Sequence, residues 1–172
     1  MKRVLVFAVV LFAVAWVHAD DDPLANLRTA FDRAQQAVVA GDTAAILAGT
    51  YPGLIKQVGG PDAMRDMLSK NLAGLEERGM AVLGTEIVSV SDPVQAGSEI
   101  HAVVRATRTV KAPGGRQIQD TFMIAVSADQ GKNWTFVDGP QLTPQHIDQL
   151  FPDFNDALVL PRVKAPVFER GS

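Results

Sequence analysis

Residues 98–128 read SEIHAVVRATRTVKAPGGRQIQDTFMIAVSA, and the fold turns on this stretch. Its arms, 98–111 and 116–128, are rich in Val, Ile, Thr and Phe, and Pro113-Gly114-Gly115 between them is turn chemistry. The pattern predicts a β-hairpin. Pairing the arms about Gly114 sets Val110 against Ile118, Ala106 against Phe122, Val104 against Ile124 and Ala102 against Val126, and every pair is apolar. Arg108 then falls opposite Asp120, a cross-strand pair of opposite charge within an apolar stripe. The other face carries His101, Val103, Arg105, Thr107 and Thr109 against Gln119, Thr121, Met123 and Ala125, a more solvated mixture.

Working outward, Asp129-Gln130-Gly131 is a second turn, and 133–138 reads as a further strand. Parity places Trp134, Phe136 and Asp138 on the apolar face with Phe122 and Ile124. On the N-terminal side, 81–91 reads as a strand joined through Asp92-Pro93. Two registers are open for it. Val82, Glu86, Val88 and Val90 point inward, or Leu83, Thr85 and Ile87 do, since a one-residue slip exchanges the sets. The first choice brings Glu86 toward Val104 and Arg108. Short consecutive connections make the four strands an antiparallel meander.

Helical signals precede the meander. Asp22-Pro23 is a cap followed by an N1 proline, and Leu24, Leu27, Phe31, Ala34 and Val38 form one stripe ending at Gly41. Asp42 caps a shorter helix running to about Gly49, and Tyr51-Pro52-Gly53 breaks it. Leu54–Val58 reads as extended or turn-like. Gly59-Gly60-Pro61 opens a third helix, with Met64, Met67, Leu68, Leu72 and Leu75 on its apolar face and Gly79 as its stop. Thr143-Pro144 opens a short helix bearing Ile147, Leu150 and Phe151, and a tail containing Pro161 and Pro166 follows. Helices first and an antiparallel sheet second predict an α+β domain, with the N-terminal helices packed in the concave face of a curved sheet.

The N-terminus reads as a leader. Lys2 and Arg3 precede an unbroken apolar run from Val4 to Val17, and Val17-His18-Ala19 suits cleavage before Asp20. The run is shorter than the about 20 residues of a bilayer-spanning helix, so a cleaved signal peptide over 1–19 is expected and no stable membrane anchor. The expected division is 1–19 signal peptide, 20–152 α+β domain and 153–172 Pro-containing tail. Removing 19 residues from 172 leaves 153, enough for a core without disulfides, and the chain has no cysteine. That composition suits a periplasmic or secreted bacterial protein. Taking Lys2 and Arg3 from the 16 basic residues leaves 14 against 19 acidic, a net charge of −5. The bases are scattered, which argues against nucleic acid as a partner.

No G-x-S-x-G, H-E-x-x-H or phosphate-loop pattern occurs. His101 and His146 are far apart in sequence, so neither a metal site nor a cofactor is expected. Gly59-Gly60 reads as turn and cap, Asn133-Trp134-Thr135 as a chance sequon, and Met64 and Met67 as core. The polar residues that need explaining are Arg108, Asp120 and Asp138 on the apolar face, with Glu86 in one register. An ion-pair network is the simpler account; a pocket whose few charges orient a ligand or move a proton is the sharper one. Asp138, without an evident partner, is the candidate base. Arg108, Asp120, Glu86, Tyr51 and Trp134 are its candidate lining.

Tyr51-Pro52 through Gly59-Gly60-Pro61-Asp62-Ala63-Met64, and Gly131-Lys132-Asn133-Trp134-Thr135-Phe136-Val137-Asp138, with the element order over roughly 24–150, resemble the nuclear transport factor 2-like superfamily, the cystatin-like or polyketide-cyclase-like cone. The resemblance implies a curved sheet wrapped round helices with an apolar cavity. Its members include isomerases, dehydratases, cyclases and hydrolases, and many noncatalytic binding modules. Its enzymes often use an Asp or an Asp–His pair inside the cone. Here Asp138 and Asp120 are on offer, while parity puts His101 outside and His146 lies on the terminal helix. The expectation is therefore a noncatalytic exported domain that binds a small apolar ligand or a partner protein. The alternative is an isomerase, dehydratase or hydrolase using Asp138. A homodimer through Val103, Met123 and Ala125 of the outer sheet face is also expected.

Overall fold

A computed structural model of the protein describes residues 22–171, and the predicted leader lies outside them. Helix α1 (Pro23–Ala40) starts where Asp22 accepts the Leu24 N–H at 2.9 Å, with Pro23 at N1. It ends at Gly41, whose φ of +66° is the left-handed C-terminal stop. Asp42 caps α2 (Thr43–Gly49) through the Ala44 and Ala45 N–H groups. A further helix, α3 (Pro52–Val58), occupies the segment expected to be extended. Pro52 at its first position starts it and Gly59, with φ +111°, stops it; two turns are too short for helical periodicity to show in the sequence. Helix α4 (Pro61–Glu77) follows.

The strands are β1 (Ala81–Val90), β2 (Val94–Ala96), β3 (Glu99–Ala112), β4 (Gly115–Ser127) and β5 (Thr135–Asp138); α5 (Pro144–Leu150) and β6 (Val167–Arg170) complete the chain. They form an open, curved antiparallel sheet in the order β1-β3-β4-β5, with β2 added to β3 and β6 to β4. The α+β class, with an N-terminal helical layer on a curved antiparallel sheet, is as predicted. Asp129 ties the β4–β5 turn, accepting from the Asn133 backbone at 2.9 Å, the Asn133 amide at 2.7 Å and the Ser127 hydroxyl at 2.8 Å. Those bonds pull its carboxyl down to about 2.

The central hairpin is displaced by one residue from the predicted pairing. Ala112 faces Gly115, so Val104 meets Met123, Val103 meets Ile124, Thr107 meets Asp120 and Arg108 meets Gln119. The loop holds two residues, Pro113 and Gly114, with Gly114 at φ +80°; a pairing centred on Gly114 requires three. The slip sends Phe122, Ile124 and Val126 to the opposite face and brings Met123 and Ala125 to the helices. Asp120 leaves the face of Arg108.

Strand β1 follows neither predicted set. Register shifts between Val82 and Gly84 and between Ile87 and Ser89 insert Leu83 and Val88 as extra residues. Val82, Thr85, Ile87 and Val90 therefore share the helix-facing side with Val110, Arg108, Ala106 and Val104. Glu86 pairs with Thr107 on the other face.

Each face has its own core. Leu27 and Phe31 of α1 pack on Ala102, Val104, Ala125, Trp134 and Phe136. Trp134 Nε1 donates to the Pro23 and Gly131 carbonyls, both at 3.0 Å, which pins the start of α1 to the sheet. On the opposite face Leu150, Phe151 and Leu158 cover Val103, Phe122, Ile124 and Val126. Residues beyond 152 thus belong to the fold, through Leu158 and through β6 on Gly115–Ile118. The expected dimer surface is not available: Met123 and Ala125 face the helices, and Val103 is buried beneath the C-terminal segment.

Candidate functional site

Helix α4 has a continuous apolar stripe but packs on α2 and α3. Of its side chains only Met64 is buried. Between that stripe and the sheet lies a cavity of about 360 Å³, within the about 300–1,000 Å³ usual for ligand sites. Leu68, Leu72 and Leu75 roof it, Val38 and Ile46 close it from α1 and α2, and Val82, Met123 and Phe136 form its floor.

Among the described residues only two charged side chains line it, Arg108 and Asp138. Arg108 Nη2 donates to Asp138 Oδ1 at 3.3 Å; their side chains are 18% and 43% exposed. This pair corrects the reading of Asp138 as unpartnered. Gln35 also lines the cavity, and its amide nitrogen points at the Met123 sulfur at 3.5 Å. Gln35 Oε1 and Arg108 Nε are buried without a hydrogen-bond partner. So is the hydroxyl of Thr85, the cross-strand neighbour of Arg108.

The other predicted lining residues are elsewhere. Asp120 lies across the sheet, beside Arg105 and the segment Pro161–Val163, and Glu86 is exposed on that same side. Trp134 is sealed in the core under α1. Tyr51 is carried over the sheet edge, because Thr50 bridges Phe136 and the Tyr51 N–H donates to the Phe136 carbonyl at 3.1 Å.

There Tyr51 enters a cluster that sequence reading missed. Its hydroxyl donates to the Glu99 carboxylate, with oxygen separations of 3.2 and 3.3 Å, and His101 Nε2 lies 3.2 Å from the same carboxylate. Phe151 stacks on the Tyr51 ring with centroids 5.3 Å apart and meets His101 edge-on at 5.1 Å. Burial, reinforced by the Glu99 charge and hydrogen bond, pushes the Tyr51 hydroxyl up to about 12. The signal was available: Glu99 and His101, two apart on one strand, share a face. His101 does lie on the face away from α1, as parity indicates, and is 2% exposed. His146 is engaged in the α5 capping box with Thr143.

Among the described residues the cavity lining includes no His, Cys, Lys, Tyr or Ser. Among the described residues no group of three or more His, Cys, Asp or Glu is placed to hold a metal ion, and no helix is long and apolar enough to cross a membrane. No protein-family model, curated protein or solved structure matches the chain.

Proposed function

We propose that this chain is an exported, noncatalytic cone domain of the nuclear transport factor 2-like kind, which holds a small, largely apolar ligand between α4 and the sheet. The observation that carries the reading is the cavity: an apolar roof and floor with a single ion pair in its wall. Apolar surroundings supply affinity, and one polar group fixes orientation. The leader over 1–19 motivates export, and helices laid on a curved meander support the cone resemblance.

Asp138 lines the cavity, which an enzymatic reading needs. Arg108 engages one oxygen of Asp138 and leaves the other free, but neither histidine lines the cavity to complete the Asp–His pair that the resemblance implies. Binding accounts for the site with fewer assumptions. Titration with the neutral fluorophore N-phenyl-1-naphthylamine tests it. Saturable enhancement is expected in the mature protein and its loss in Leu72→Trp, which fills the space under α4. Binding that persists unchanged in a folded Leu72→Trp protein places the site elsewhere and rejects the proposal.

A further inference from the structure

The chemistry of the cavity wall narrows the ligand. We propose that it is an amphipathic monocarboxylic acid, with its carboxylate on Arg108 and its hydrocarbon chain under Leu68, Leu72 and Leu75. This rests on the reading of the cavity as an apolar-ligand site.

Native folds leave few buried polar atoms without partners. Here Arg108 Nε, Gln35 Oε1 and Thr85 Oγ1 are all in that condition. Arg108 and Gln35 both line the cavity; Thr85 sits opposite Arg108 on the same sheet face and lines the adjoining space between α1 and β1, which Gln35 also borders. The guanidinium only donates, and the Gln35 amide can turn to donate, since its nitrogen now meets only a thioether, a weak acceptor. A wall of donors around a fixed positive charge calls for an acceptor-rich anion. A guanidinium matches a carboxylate through two parallel N–H groups.

The charge present limits that anion to one negative unit. Among the described residues no second cation lines the cavity, and the Asp138 carboxylate adjoins the site, so a doubly charged phosphate would be repelled. The Arg108–Asp138 contact is replaceable. At 3.3 Å it is longer than the about 2.7–2.9 Å of a strong charge-assisted hydrogen bond. Asp138 is 43% exposed and can return to water once displaced.

Displacement of N-phenyl-1-naphthylamine by dodecanoate and by dodecanol tests the inference on the mature chain. Dodecanoate should displace the probe at about one-tenth the concentration dodecanol needs, a difference worth about 1.4 kcal/mol. Arg108→Met should bring the two concentrations together. Asp138→Asn, by removing the carboxylate that competes for Arg108, should widen the gap severalfold. The two variants shift the ratio in opposite directions, so misfolding cannot imitate the pattern, and the bound probe reports an intact site in each. Equal displacement by acid and alcohol, with the probe still bound, overturns the carboxylate assignment while leaving the apolar site standing. So does a narrower gap in Asp138→Asn. Failure of the wild-type protein to bind the probe overturns both.

Discussion

On one face of the sheet Val103, Phe122 and Ile124 lie beneath Leu150, Phe151 and Leu158, and all six are buried. On the other, α4 lays an apolar stripe over the same strands, yet only Met64 on that helix is buried. The strands are shared, so the covers make the difference. Helix α5 and the chain after it press directly on the sheet, whereas α4 stands on α2 and α3. A helix held up by other helices need not collapse onto the layer below it. The C-terminal cover therefore closes its face, whereas the helix-side face is packed under α1 and open under α4, where it is free to hold a ligand.

The largest effect expected of this contrast lies in truncation. Ile124→Ala on the closed face should cost about 2–5 kcal/mol, the range for emptying a filled core site. Leu72→Ala under α4 removes a side chain that is only half-buried and should cost about 1 kcal/mol or less. Urea unfolding measures both, and equal losses would break the contrast.

Addition should keep the ranking and split the sign. A methyl group at Gly139 would collide with the Phe122 ring, so Gly139→Ala should lower stability by about 1–3 kcal/mol. At Gly74 in α4 nothing lies within 4 Å of the added carbon. Gly74→Ala should raise stability by about 0.5–1 kcal/mol through helix propensity. Thermal melts of the two variants should move in opposite directions, and a shared direction would show that α4 is packed as tightly as α5.

The smallest effect concerns the closed face at high pH. Tyr51 is the only tyrosine, so tyrosinate absorbance reports it alone. Its midpoint should lie near 12 in the folded chain and near 10 in urea. The folded value is the higher, so the contribution is complete below about pH 10 and is lost between about 10 and 12. Glu99→Gln should lower the folded midpoint. A midpoint near 10 in the native protein would show that the Tyr51–Glu99–His101 cluster is open to water.

Element order was legible because caps, prolines and turns act locally. Asp22-Pro23, Asp42 and Thr143-Pro144 each start a helix as read. Facing was harder. From Ile100 to Val104 and from Phe122 to Val126 almost every residue is apolar, because both faces of the sheet are covered. Alternation then carries little register information, and the decision falls to whether the loop has two residues or three. That single residue separated Asp120 from Arg108. The pairing of Arg108 with Asp138 depended on β5, whose parity was read correctly relative to Arg108 although its neighbours on β4 were not. Gln35 escaped notice because a lone glutamine on an amphipathic helix reads as solvated.

The two irregularities in β1 have a consequence for how this protein behaves among copies of itself. Strand β5 has Thr50 along its outer side, and β6 lies along the end of β4. Among the described residues, strand β1 is paired only with β3, and its other side carries no strand. A straight, free strand would be a template on which a second chain could add. The extra residues Leu83 and Val88 bend that template twice within its length, so an incoming strand could follow it for only a few residues. The same insertions that turn Thr85 toward Arg108 also guard the exposed side of the sheet against fibre-like growth.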